Sequence, residues 1–415
     1  MHSCNASSKS RSAFTLIELL VVIAIIAILA VVVVLTLNPA ELLRQSRDSN
    51  RVSDMATLTS AINLYTTDQS GSSGFSLGSS SVIYVSIPDP NATTTAGTNC
   101  SLLSLPTLPS AYSYHCAASS TYRNIDGTGW IPVNLTNLSS GSPISNLSVD
   151  PTNTSSSRLY YSYTTNGSQF EVTSAMESVK YKLGGSNDQI SGDGGPLATV
   201  YEKGSQLGLE PLDYGDSSLV GLWTMDEGTG SIAYDWSGNN ATGSWLGALG
   251  SQWTTSSKIG AYAGALNGTN NSINILNISP IPQNGPATII GWFKLNRTAN
   301  SLGTSFNFFN ELYQNHNNNY LYMAGAGTVN YFSPTFTTSV WHHLALTYNG
   351  TEETDLLYLD GVQYGPSIGT PSTNNGSISP FNIGSGNFLG SIDDIRVYNR
   401  VLSSAEVKAL YNGGK

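Results

Sequence analysis

From Leu19 to Leu35 the chain carries no polar residue, and a single acid, Glu18, stands at the head of that run. No other stretch restricts the fold so strongly. At ~1.5 Å rise per residue a helix over residues 19–37 is about 28 Å long, close to the ~30 Å hydrocarbon core of a bilayer. Lys9 and Arg11 precede it, while Glu41, Arg44, Arg47 and Asp48 follow it with mixed sign. That asymmetry predicts an N-terminus in the cytoplasm and everything beyond residue 40 outside. A secretory signal would have a shorter apolar core followed by an A-x-A site, and Thr36-Leu37-Asn38-Pro39 provides neither. An uncleaved anchor accounts for the length and explains the acid least well: a carboxylate at the centre of a spanning helix costs roughly 2.5–3.5 kcal/mol, and less near its end, where the alternative is a Glu18 that is merely tolerated by snorkelling to the interface.

The run Ser12-Ala13-Phe14-Thr15-Leu16-Ile17-Glu18 resembles the type IV prepilin N-terminus shared by pilins and type II secretion pseudopilins. The resemblance implies cleavage between Ala13 and Phe14 by a prepilin peptidase, N-methylation of Phe14, and Glu18 as the fifth mature residue. It also implies a partner for Glu18: the free α-amine of Phe14 on a neighbouring subunit of the filament. That pair would neutralise both charges and set the axial step between subunits. Ala13 departs from the Gly that the family usually has before the cut.

Charged residues make up only 11% of the chain, against about 25% in ordinary soluble proteins. The result is a polar, weakly charged surface of the kind common outside cells. A net charge of −10 argues against non-specific nucleic-acid binding. The N-x-S/T triplets at Asn91, Asn134, Asn277 and Asn349 follow from this composition and are not read as glycosylation sites. Cys4 falls in the leader, which leaves Cys100 and Cys116 on the outer side, where a disulfide persists. Closing a loop of roughly 15 residues stabilises by about 3 kcal/mol in the chain-entropy model.

Beyond Pro39, which starts or kinks a helix, Leu42, Leu43, Val52, Met55, Leu58, Ala61, Ile62 and Tyr65 recur mostly at three- and four-residue spacing among charged residues. They predict an amphipathic helix ending at Ser70-Gly71-Ser72-Ser73-Gly74. Strands are expected at 82–87, 130–133, 159–163 and 170–172, separated by Gly, Pro, Ser and Asn loops. The succession Val149-Asp150-Pro151, Tyr160-Tyr161-Ser162-Tyr163 and Phe170-Glu171-Val172 looks like the pseudopilin sheet region. Loop 184–195, with Asp188 and Asp193, is read as a solvated turn ahead of a calcium loop. Residues 211–218 form a polar break.

The chain then changes character. Leu222-Trp223-Thr224-Met225-Asp226-Glu227-Gly228, Asp235-Trp236-Ser237-Gly238-Asn239-Asn240, Trp341-His342-His343-Leu344-Ala345-Leu346, Tyr358-Leu359-Asp360-Gly361-Val362 and Gly390-Ser391-Ile392-Asp393-Asp394-Ile395-Arg396-Val397-Tyr398 follow in order. In this order and spacing they look like the laminin-G-like, concanavalin A-type jelly roll, over about 219–412. The residues agree: Leu344, Leu346 and Tyr348 alternate as in a strand, and Asp360-Gly361 is a hairpin turn. Ser403 with Glu406 forms a capping box, and Leu402 with Val407 a hydrophobic staple, for a short terminal helix stopped at Gly413.

Glycosidases of this architecture need two carboxylates about 5–9.5 Å apart, placed on one strand as E-x-D-x-x-E. No such run is present; Glu311 stands alone and Glu352-Glu353 lies in a turn-rich segment. His342 and His343 are adjacent on a strand and so belong to opposite faces. The chain is therefore expected not to be an enzyme. The three-residue step from Ile392 to Ile395 suggests a bulge at Asp393-Asp394. Related jelly rolls hold a structural Ca²⁺ between this strand and the opening D-E-G segment, which implies Asp226, Glu227 and Asp393 as ligands, since calcium takes carboxylate oxygens. The bland alternative is that Asp393 or Asp394 pairs with Arg396. Tyr313, Tyr320, Tyr322, Tyr331 and Phe332 are read first as ordinary strand residues and second as a sugar-stacking surface.

The expected fold is an α+β pilin, with a long N-terminal helix and a small antiparallel sheet, followed by an all-β jelly-roll sandwich. Its divisions are a leader (1–13), the membrane half (14–37) and amphipathic half (38–74) of the helix, a head (75–210), a linker (211–218) and the jelly roll (219–415); residues 217–415 should fold when expressed alone. The expected function is a pilus or pseudopilus subunit, held in the cytoplasmic membrane before assembly and at the cell surface after it. Its partners would be prepilin peptidase, other pilin subunits, and a glycan or surface protein bound by the jelly roll. A minor pseudopilin of a type II secretion apparatus is the alternative, and a membrane-anchored glycan hydrolase a third class.

Overall fold

The structure, a computed structural model, describes residues 15–92, 100–108, 112–247, 250–269, 271–276, 285–296, 306–309, 312–315, 320–325, 328–332, 337–349, 356–364, 381–384 and 388–414; the side chains of 31–37, 306–332, 348 and 381 lie outside that description. Two helices open it, α1 (Leu16–Leu37) and α2 (Pro39–Gln69). Asn38 separates them with a left-handed backbone (φ 39°, ψ 72°). Pro39 is the cause: it disfavours helical geometry in the residue before it and then occupies the first helical turn, where its missing N–H is no loss. Among the described residues no helix is long and apolar enough to cross a membrane.

The buried face of α2 carries Met55, Leu58, Ala61, Ile62 and Tyr65, as the spacing predicts, but Leu42 and Leu43 are exposed (51% and 62%). In their place the upper turns bury ions. Arg51 is fully buried and donates to Asp48, Asp150 and Glu177 at 2.6–3.0 Å. The head sheet comprises β1 (Val82–Asp89), β2 (Ser113–Ala118), β3 (Tyr161–Thr165), β4 (Phe170–Ala175) and β5 (Val200–Gly204), in the order β2-β1-β3-β4-β5. It is mixed rather than wholly antiparallel, because β1 and β2 run parallel. Residues 130–133 form no strand: Pro132 has no N–H for a ladder, and Trp130, Ile131 and Val133 instead fill the core against α2.

The second unit is a sandwich. Its chain order is β6 (Leu219–Trp223), β7 (Ile232–Ala233), β8 (Gly243–Leu246), β9 (Trp253–Thr254), β10 (Ala263–Asn267), β11 (Ser272–Ile275) and β12 (Ala287–Leu295). There follow β13 (Phe306–Phe309), β14 (Leu312–Asn315), β15 (Tyr320–Gly325), β16 (Thr328–Phe332) and β17 (Trp341–Tyr348). The last elements are β18 (Leu356–Leu359), β19 (Val362–Gln363), β20 (Phe381–Ile383), β21 (Leu389–Tyr398) and α3 (Ser404–Gly413). The first sheet has the order β19-β18-β17-β12-β21-β10-β9, with β6 also on β21; the second has the order β16-β15-β14-β13-β20-β11-β8-β7. The core between them holds Trp223, Trp245, Ile273, Phe293, Leu344, Phe388 and Ile395 among others.

On the outer side of the first sheet a second apolar layer forms. Ile290, Ala345 and Tyr358 pack there with Leu402, Val407 and Leu410 around α3, joined by Ala198 from the head. The stretch expected to be a linker belongs to this seam: Leu212, Asp213 and Tyr214 are buried. Asp213 accepts the N–H groups of Ala198 and Thr199 and a 2.6 Å bond from Arg396 of β21. Arg400 bridges Asp216 (2.7 Å) and Glu406 (2.6 Å). Head and sandwich are therefore joined by apolar packing and by two ion clusters.

Candidate functional site

Ala13 and Phe14 lie outside the described residues, as do Cys4, Glu311, Glu352 and Glu353. Glu18 is described, and it closes the first turn of α1. Its Oε2 accepts from the backbone N–H and the hydroxyl of Thr15 (2.9 and 2.8 Å), while its own N–H donates to Thr15 Oγ1 (3.2 Å). This reciprocal capping box is legible in the sequence as T-x-x-E. Cys100 and Cys116 form the expected disulfide, with their Cα atoms 5.7 Å apart, across the crossover between the parallel strands β1 and β2.

In the sandwich, β21 carries the expected bulge. Ile290 pairs with Arg396 and Trp292 with Asp393, so three steps on β21 face two on β12, and Asp394 takes a positive φ of 47°. The bulge sends neighbouring acids to different tasks. Asp394 pairs with Arg396 (3.0 Å). Asp393 turns inward, and its Oδ2 accepts the N–H groups of Lys258 (2.7 Å) and Ile259 (3.0 Å). Asp226 grips the other end of the same turn, its Oδ1 accepting from Ala261 (2.7 Å) and Tyr262 (2.9 Å). Gly260 sits between, at φ +69°, where a Cβ would collide with the Asp226 carboxylate.

Glu227 is engaged elsewhere, accepting from Tyr234 N–H (2.8 Å). The structure thus brings Asp226 and Asp393 to one turn but not Glu227 with them, and among the described residues no three His, Cys, Asp or Glu side chains converge as a metal site. One observation does suit a hard cation: Asp393 Oδ1 is buried and has no partner. Burial raises the Asp393 carboxyl to about 8, against the pull of its two backbone donors, and raises Glu227 to about 7. A dry carboxylate with an open oxygen and no paired cation takes up a proton or a metal ion.

The remaining candidates resolve into structural roles. His342 bonds to Asp360 Oδ2 through Nδ1 (2.9 Å) and accepts Thr337 N–H at Nε2 (3.3 Å). His343 lies on the opposite face between Trp292 and Tyr411, and burial lowers it to about 3, so it is neutral. Asp188 accepts from Gly184, Ile190 and Ser191 N–H, which closes its own turn. A cavity of ≈ 210 Å³ lies at the seam, lined by Lys182, Thr199, Asp216, Tyr398, Arg400 and Glu406 among others.

Residues 8–34 match the prokaryotic N-terminal methylation motif, and residues 267–408 match the concanavalin A-like lectin/glucanases superfamily. The chain therefore joins a pilin-type N-terminus to a lectin-superfamily sandwich, and the motif implies processing by a prepilin peptidase and assembly with other pilins. No curated protein matches the sequence. Among solved structures, Trypanosoma rangeli sialidase is similar at 16% identity over 47% of this chain and 32% of its own length, with a TM-score of 0.36. Domain 4 of an extracellular arabinanase from Geobacillus stearothermophilus, solved with arabinotriose, is similar at 21% identity over 46% of this chain and 98% of that domain (TM-score 0.33). The binding domain of Paraclostridial mosquitocidal protein 1 is similar at 19% identity over 47% of this chain and 52% of its own (TM-score 0.34).

The expectation that the chain is not an enzyme is corrected by these neighbours, which include sialidases and a domain of an arabinanase. The carboxylates behind that expectation, Glu311, Glu352 and Glu353, also lie outside the described residues. The likeness covers a lectin-like domain, and it shows no enzyme activity for this chain either.

Proposed function

We propose that this chain is a subunit of a type IV pilus or pseudopilus that displays a carbohydrate-binding sandwich on its pilin head. The observation that carries the reading is the union of the methylation motif at 8–34 with the concanavalin A-like domain at 267–408. Before assembly the apolar N-terminal segment anchors the chain in the cytoplasmic membrane with its N-terminus inside. Cleavage between Ala13 and Phe14 frees an α-amine one residue before the Thr15–Glu18 capping box. In the filament Glu18 turns from Thr15 to the Phe14 amine of a neighbour, an exchange of one hydrogen-bonded carboxylate geometry for a charge-assisted one. The sandwich then stands at the cell surface, where it adheres to glycans.

Intact-mass analysis of filaments sheared from cells tests this. The expected species starts at N-methylated Phe14, lacks Cys4 and is two hydrogens lighter for the Cys100–Cys116 bond; surface-exposed protein with its leader intact overturns the reading. Glu18→Ala should insert normally and lower filament yield. Calcium at the Asp226–Asp393 turn belongs to the same proposal, supported by the open Oδ1 of Asp393. Chelation should then lower the Tm of the full chain, because a ligand bound only to the folded state stabilises it, and Asp393→Asn should remove that difference.

A further inference from the structure

The head sheet buries acids on the side turned away from α2. Val172 and Tyr201 pack with the helix, so strand alternation puts Glu171 of β4 and Glu202 of β5 on the opposite side. Glu171 stands across from Gly204 and Glu202 across from Thr173, which makes the two acids diagonal neighbours. Both are fully buried, and their carboxyl groups lie within hydrogen-bond reach of each other. Their oxygens are engaged unequally. Glu171 accepts the N–H groups of Gly208 (3.2 Å), Leu209 (2.6 Å) and Glu210 (2.8 Å). Glu202 accepts one N–H, from Leu197 at Oε2 (2.8 Å), while its Oε1 is buried with no partner. Gly195 packs so closely on this carboxyl that a Cβ there would collide with it. Asp193 closes the same loop, accepting from the N–H groups of Gly195 (2.9 Å) and Glu202 (2.8 Å).

Two neighbouring carboxylates in a dry site, with no cation between them, cannot both be charged. Three donors hold Glu171 as an acceptor. The proton therefore belongs on Glu202, where an Oε1–H directed at Glu171 satisfies the one open oxygen. Burial, and then the bond to Glu171, push the Glu202 carboxyl well above the usual carboxylate range. The acids that face this pair are Asp193 from the loop before β5 and Glu210 from the segment after it; burial raises them to about 6 and about 8. Lys203 is the cation whose charge is felt here, and it acts on Asp193. Residues 193–198 are also the head's side of the seam. Pro196 O accepts from Arg396 Nη2 of β21 (3.3 Å), Ala198 donates its N–H to Asp213 (3.0 Å), and Ala198 joins the apolar layer around α3.

We propose that a proton shared between Glu202 and Glu171 locks residues 193–198 against the sandwich, which makes the seam a pH-responsive joint, closed at low pH and loosened as pH rises. Loss of the proton leaves two charges side by side. Glu202, held by one N–H against three for Glu171, is the group that leaves for water. Leu197 goes with it, and so do the contacts that Pro196 and Ala198 make with the sandwich. The direction follows from linkage. Glu202 is raised above its unfolded value of 4.5, so its contribution is complete below pH 4.5 and is lost as pH climbs toward the folded value. The device does not depend on what the sandwich binds.

The test is amide hydrogen exchange on the full chain in detergent, from about pH 5 to about pH 9. Protection of Leu197 and Ala198 is compared with that of Glu177 and Ser178, whose N–H groups Asp48 holds beside Arg51. In the wild type, protection of Leu197 should fall about tenfold per pH unit relative to these controls, the slope set by one proton released on opening. Glu202→Gln offers Glu171 an N–H that does not titrate, and should keep Leu197 protected across the whole range. Glu171→Gln sets an amide N–H against the three N–H groups that Glu171 receives, and should lose protection at every pH. A wild-type Leu197 whose protection relative to the controls ignores pH would overturn the proposal without any variant. An undiminished slope in Glu202→Gln would also overturn it, by assigning the proton to Asp193 or Glu210.

Discussion

Arg51 shows how a single buried ion organises the pilin head. Its guanidinium has no exposure and reaches Asp48, Asp150 and Glu177, from α2, the loop before β3 and the segment after β4. Burial works against charge on Glu177, but hydrogen bonds from Arg47 and Arg51 outweigh it and hold that carboxyl below its ordinary value. Arg51→Met should destabilise the chain by about 3–5 kcal/mol, because it leaves buried carboxylates without their cation; a denaturant midpoint shift well under that range would show the cluster to be nearly neutral. Glu210 is the opposite case. Burial raises it from 4.5 to about 8, although Ser162 donates to it (2.6 Å). Its contribution is complete below pH 4.5 and is lost as pH rises toward 8, since the folded state keeps a proton that the unfolded chain releases. The slope from this one group is about 1.4 kcal/mol per pH unit. Glu210→Gln should therefore flatten stability between these pH values, read from Tm across a pH series; an unchanged slope would sink the assignment.

At the scale of elements, caps and turns follow their local chemistry closely. Ser403 caps α3 with Glu406 in a reciprocal box, Leu402 and Val407 are both buried as the staple requires, and the helix runs to Gly413. Ser403→Ala should lower stability by about 1 kcal/mol, measurable by thermal melting of the full chain. No change there would mean that the Arg400–Glu406 contact alone holds the turn. The β18–β19 hairpin has Asp360 and Gly361 both at positive φ (51° and 74°), as an Asp-Gly turn of this kind needs. What local chemistry did not reveal was β2 and β5. Ser113–Ala118 and Val200–Gly204 have weak alternation, and they exist as strands because β1 and β4 offer them edges. The reverse holds for 130–133, apolar enough for a strand but denied a ladder at Pro132.

The whole molecule behaves as two units with a packed seam. Arg396 belongs to the sandwich but has one of its carboxylates, Asp213, in the head-side segment; Arg400 likewise reaches back to Asp216. A fragment starting at residue 217 removes both acids and leaves Arg396 with Asp394 alone. Its Tm should be lower than that of a fragment starting at residue 196, which keeps Asp213, Asp216 and Ala198. Equal melting temperatures would show that the seam contributes nothing to the sandwich.

Covalent order alone determined the methylation motif, the position of the helix break at Asn38-Pro39, the capping boxes, the Asp360-Gly361 turn, the β21 bulge and the sandwich class. Each depends on residues within a few positions of one another, where backbone geometry and hydrogen-bond reach leave few choices. Only the tertiary structure decided which distant groups meet. It placed Arg51 among three acids, Asp213 under Arg396, and Asp226 with Asp393 on one turn while sending Glu227 to another. It also turned Leu42 and Leu43 outward on a stripe whose period alone would bury them. Contacts between segments far apart in the chain are set by packing and by strand register, and neither composition nor periodicity carries that information.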